Sequence, residues 1–120
     1  KAHRIPLTPQ AVDLIAALRG HETYLFPGQS NRKPLSNMAM LMLLRRMEIE
    51  DVTVHGFRSS FRDWCGECTN VPREIAEIAL AHEVGSAVER AYRRGDALDK
   101  RRRLMVQWSD YLTGTGPNDD

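Results

Sequence analysis

The sequence predicts a mainly α-helical domain with a short strand at its start. Apolar residues recur at helical spacing through most of the chain. The segments with that spacing are bracketed by helix-start and helix-stop residues, among them Thr8-Pro9, Ser36, Pro72 and Gly95-Asp96. Only His3 to Leu7 reads as strand, and a chain that opens on a strand reads as a piece of something longer.

Thr8 caps the first helix and Pro9 occupies its first position, with Val12, Leu14, Ile15 and Leu18 as the apolar stripe and Gly20 as the stop. A loop rich in turn residues follows (HETYLFPGQSNRKPL). Ser36 caps a second helix to about Met47, apolar nearly all round and therefore expected to be buried on several sides. A third helix, from His55-Gly56 to Cys68, carries Phe57, Phe61, Trp64 and Cys68 as its core stripe. His55, Arg58 and Arg62 fall together on its flank. Pro72 opens a fourth helix that runs through Leu80 and ends just before His82. Ser86 caps a short fifth helix that carries Tyr92. Asp96 caps a last amphipathic helix with Leu104, Trp108, Tyr111 and Leu112 on one side. Residues 1–112 are expected to form the folded portion and 113–120 a flexible tail.

At 120 residues the chain is one domain or part of one. Its 42% apolar and 28% charged composition is that of an ordinary soluble globular protein. The longest apolar run, Met38 to Leu44, is too short to span a bilayer, and no apolar signal segment follows KAHRIPL. A cytoplasmic setting with no membrane partner is expected. The net charge of +1 favours no partner class, but between Arg90 and Arg103 seven basic residues face two acidic ones. Such a run suits a phosphate-facing surface, though taken alone it fits a solvated helix face better, so it serves only as support. Cys65 and Cys68 form C-x-x-C without two further zinc ligands at usable spacing, and a helical pattern precedes them. Both thiols are expected in the core, with no metal or cofactor.

His55, Arg58, His82 and Tyr92 are separated by 3, 24 and 10 residues. They supply two imidazoles, a guanidinium and a phenol, which is equipment for attacking a phosphodiester. A phenol with a pKa of about 10 needs a base or a positive field to become a nucleophile. His55 suits the base, Arg58 can clamp two phosphate oxygens through its planar fork, and His82 can donate a further bond as charge builds. Arg90, Arg93 and Arg94 surround Tyr92 with positive charge. Taken singly, each residue has a plainer role: a helix-end histidine, a surface ion pair, a core tyrosine with its hydroxyl at the rim.

The H-x-x-R of His55 and Arg58, the Leu80-Ala81-His82 triplet, and Tyr92 ten residues on resemble the tyrosine recombinase (phage integrase) family. HGFRSSFRDW, PREIAEIALAHEVGSAVERAYRR, RRRLMVQWSDYL, HRIPLT and LFPGQSNRKPLS are similar to integrases of prophages and genomic islands, so the resemblance covers the chain up to its tail. It implies the helical catalytic domain of the DNA breaking-rejoining fold, of which this chain would be the C-terminal portion. It also implies site-specific recombination through a 3′-phosphotyrosyl intermediate, without ATP or metal. Tyr92 would be the nucleophile, with His55, Arg58 and His82 around the phosphate and Arg62, Arg90, Arg93 and Arg94 as further DNA contacts. The expected partners are double-stranded DNA at attachment sites and a homo-tetramer assembled on it.

Many relatives have LGH where this chain has LAH. The family's first catalytic arginine and its catalytic lysine have no convincing match here, so the chain alone is expected to cut DNA poorly. Two alternatives stay open: a type IB topoisomerase, and a non-catalytic DNA-binding or interaction module that keeps the fold.

Overall fold

A threonine that accepts and a proline that cannot donate start the first helix of the computed structural model. Thr8 Oγ1 takes the Ala11 N–H at 3.2 Å, and Pro9 sits where no intrahelical partner exists for an N–H. The structure describes residues 2–18, 23–30, 32–92 and 96–115. Within them lie α1 (Pro9–Ala16), α2 (Ala39–Arg46), α3 (Gly56–Cys68), α4 (Arg73–Ala79), α5 (Ser86–Ala91) and α6 (Asp96–Thr113). The molecule is mainly helical, as the periodicity predicts.

The expected N-terminal strand is not present: residues 2–8 form no regular element, and no strand occurs among the described residues. Among the described residues the one ladder contact is an isolated bridge between Pro27 and Pro34. A strand needs a neighbour to satisfy its N–H and C=O groups. This segment lies against α6 instead, where the buried Arg101 donates through Nη2 to the Arg4 carbonyl.

The core forms where α4 packs between α3 and α6. Phe61, Trp64, Cys65, Ile75, Ala76, Leu80 and Leu104 are buried there, with Tyr92, Met105 and Trp108 packed against them. Trp108 meets Phe61 edge-on with ring centroids 5.3 Å apart and Trp64 at 5.0 Å, geometries that aromatic quadrupoles favour. Three expectations are corrected. Phe57 lies one turn before the packed face and is 58% exposed. Cys65, not Cys68, is the buried thiol: it lies one turn after Phe61 within the packed part of α3, whereas Cys68 is the last residue of the helix. Helix α2 buries Leu44 alone, since apolar residues all round a helix record composition and not neighbours.

Ends of helices follow local chemistry. After α2 and after α4 a residue with positive φ, Glu48 at 58° and Ala81 at 59°, turns the chain out of the helix. Before α3, Thr53 Oγ1 takes the Gly56 N–H at 3.0 Å, and a Cβ on Gly56 would stand 3.1 Å from that oxygen. A larger residue there would press on the Thr53 side chain by a few tenths of an ångström. No helix of the described residues is long and apolar enough to cross a membrane.

Burial pushes the Cys65 thiol up to about 11, whereas Cys68 is open to solvent. An alkylating reagent at neutral pH should therefore modify one thiol, Cys68, in the native protein and both after denaturation. Peptide mass spectrometry distinguishes the two, and fast labelling of native Cys65 would contradict this packing.

Candidate functional site

The site grows out of the C-terminal end of α4. The Ala81 N–H donates to the Ile78 carbonyl at 3.0 Å and the His82 N–H to the Glu77 carbonyl at 2.9 Å, with Ala81 left-handed between them. This is a Schellman closure, and it satisfies carbonyls that a helix end leaves orphaned. It also explains the Leu80-Ala81-His82 triplet: the middle position is the one where the backbone favours glycine, and this chain holds alanine there.

The same closure brings His82 back over the last turn. Its Nδ1 is hydrogen-bonded to Glu77 Oε2, and the other carboxylate oxygen accepts from Arg62 Nε at 2.9 Å. Arg73 Nε stands 3.9 Å from that oxygen, but its side chain is 80% exposed, so its contribution is small. The bond from His82, then that from Arg62, hold the Glu77 carboxyl below the usual carboxylate range. Arg62, expected among the DNA contacts, thus has its Nε on Glu77.

Arg58 Nη2 donates to the carbonyl of Leu80, two residues before His82, across a separation of 22 residues. The guanidinium is thereby anchored beside the end of α4. His55 is exposed at the N-terminal boundary of α3, one turn before Arg58. Tyr92 follows α5 directly, its N–H bonded to Val88 O at 3.3 Å, and its half-buried ring packs on the core.

An open groove of about 690 Å³ is lined by His82, Glu83, Ser86 and Tyr92, with His3 and Ala97 among its other walls. Two of the four predicted residues, His82 and Tyr92, share this groove. Arg58 is fixed next to His82 through Leu80, and neither Arg58 nor His55 lines the groove. Arg90 is exposed on α5, while Arg93 and Arg94 lie outside the described residues.

Three participants escaped the reading of the sequence. Glu77 is five residues from His82, a spacing that places no two side chains together on a straight helix; the left-handed turn makes them neighbours. Lys100 Nζ lies 5.0 Å from the centroid of the Tyr92 ring, a cation–π contact across two helices. His3 joins the groove from the N-terminal segment.

Two outcomes test this geometry. Ala81→Gly should stabilise the protein by about 1 kcal/mol, because a left-handed residue with a Cβ is strained and glycine is not. A raised urea midpoint with an unchanged slope reports it. For Glu77 the folded carboxyl titrates below its unfolded value of 4.5, so its contribution is present above that value and disappears as pH falls through the folded one. Glu77→Gln should therefore destabilise most near neutral pH and least at about pH 3, read from urea midpoints at the two conditions. An equal difference at both would remove the ion pair from the account.

Comparison with known proteins gives relatives of one kind. The chain is 31% identical over 118 residues to the prophage integrase IntS of Escherichia coli K12, covering 93% of this chain and 30% of the relative. It is 30% identical to the integrase of Shigella phage Sf6, with the same coverage. With the integrase of Enterobacteria phage P4 it shares 34% over 118 residues, 92% of this chain and 27% of that one. No family model matches, and no solved structure matches. The chain is a homologue of these prophage and phage integrases over nearly its whole length, and it spans about 30% of theirs.

Proposed function

We propose that this chain is the C-terminal portion of the catalytic domain of a site-specific DNA recombinase that works through a 3′-phosphotyrosyl intermediate. The observation that carries this reading is the groove shared by Tyr92 and His82 beside the anchored Arg58, in a homologue of integrases. The substrate is double-stranded DNA at attachment sites, and the working assembly is a tetramer on that DNA.

Tyr92 Oη attacks phosphorus, the phenolic proton passes to His55, and the P–O bond to the 5′ oxygen breaks as the P–O bond to tyrosine forms. The departing 5′ oxygen takes up a proton and leaves as a hydroxyl. Reversal by the 5′-hydroxyl of another strand completes exchange, so the bond energy is conserved and no nucleotide is consumed. Arg58 faces the phosphate with the N–H groups that Leu80 does not occupy, and His82 offers Nε2. Lys100 over the Tyr92 ring adds positive charge where the phenolate develops. The exposed Arg90, with Arg93 and Arg94, supplies phosphate contacts along the flanking duplex.

The test is covalent trapping on a nicked suicide substrate with the complete integrase that carries this chain. Wild type should yield a protein–DNA adduct and Tyr92→Phe none. An adduct that persists in Tyr92→Phe would move the nucleophile to Tyr24 or Tyr111 and sink this reading.

A further inference from the structure

Three cationic or hydrogen-bonding groups converge on one carboxylate. Glu77 receives Arg62 Nε from α3, Arg73 Nε from its own helix, and His82 Nδ1 from the turn that follows. The Glu77 carbonyl accepts the His82 N–H as well, at 2.9 Å. One residue thus grips His82 by main chain and by ring. With Nδ1 engaged, Nε2 is the ring nitrogen left for the groove that Tyr92 also lines.

We propose that Glu77, itself anchored by Arg62, is a positioning residue that fixes the His82 ring with Nε2 toward a phosphate held in the groove. The inference rests on reading His82 as a phosphate contact. A carboxylate on Nδ1 keeps a proton on that nitrogen and orients the ring, which leaves Nε2 for the groove. A ring protonated on both nitrogens donates Nε2–H to a phosphate oxygen in a charge-assisted bond. The other titratable groups facing the same space are Glu83, adjacent in sequence, His3 from the N-terminal segment and Tyr92 after α5. Arg62 lies behind the carboxylate and keeps it ionised. Its Nε bond also sets the carboxylate plane, so the ring inherits its orientation from α3.

The experiment measures Tyr92-dependent adduct formation in the complete integrase. Wild type is compared with Glu77→Gln, Glu77→Asp and the exposed control Glu74→Gln. Glu77→Gln should slow adduct formation roughly tenfold or more, because a neutral amide no longer holds the His82 ring with Nε2 toward the phosphate. Glu77→Asp keeps the charge and should restore part of the rate, and Glu74→Gln should match wild type. A Glu77→Gln protein with wild-type rate overturns the positioning role and leaves the recombinase reading standing. Absence of any Tyr92-dependent adduct in wild type overturns both. Should Glu77→Gln not fold, nitrogen NMR of the wild-type protein decides. At alkaline pH the neutral His82 ring must carry its proton on Nδ1, and an Nε2-protonated ring ends the proposal.

Discussion

A helix ends with carbonyls that nothing in the helix can satisfy, and in α4 those carbonyls are where the candidate site is assembled. Ile78 O is taken by Ala81, Glu77 O by the main chain of His82, and Leu80 O by the guanidinium of Arg58. The last turn also carries the negative end of the helix dipole, which favours a cation such as Arg58 at that place. Capping the helix and gathering the site residues are therefore one set of hydrogen bonds. The left-handed Ala81 makes the set possible, because only a chain that reverses there returns His82 over Glu77.

This dependence has a structural price in interpretation: a residue that caps and contacts substrate has two reasons to matter. Removing the Arg58 side chain would leave the Leu80 carbonyl without its partner at a half-buried position, as well as removing the phosphate contact proposed for it. The helix itself cannot absorb such losses through its own propensity, since seven residues form no stable helix alone. It is held by Ile75, Ala76 and Leu80, which are buried between α3 and α6. The rigid face of α4 thus supports a polar end that stays exposed.

Much of this was legible in the sequence, and the failures have a common cause. Thr8 as a cap, the Phe61 and Trp64 stripe, and the end of α4 before His82 all follow from spacing within one element. So does the segregation of His82 and Tyr92 to neighbouring termini. What spacing could not supply was partnership between elements. Arg62 reads as a free basic edge, yet α4 presents Glu77 to it; Lys100 reads as one charge in a basic run, yet it stands over Tyr92. The apolar pattern of α2 predicts burial, but Met38, Met40, Leu43 and Met47 are exposed because no described element covers them. The strand at His3 to Leu7 failed for the same reason: extended sequence without a neighbour has no ladder to join.

Tyr92 directly follows the shortest helix of the described residues. Helix α5 has six residues, under two turns, and backbone hydrogen bonds alone cannot hold so short a segment. Its ring supplies the anchorage, through packing on the core cluster and the ammonium of Lys100 above its face. Both contacts use the π-system and the ring carbons, and neither uses the hydroxyl. Among the described residues the contacts that dock the helix are thus those of the ring. Loss of the hydroxyl alone would remove the proposed nucleophile and keep both ring contacts, which separates chemistry from folding at this position as cleanly as the Arg58 position confounds them.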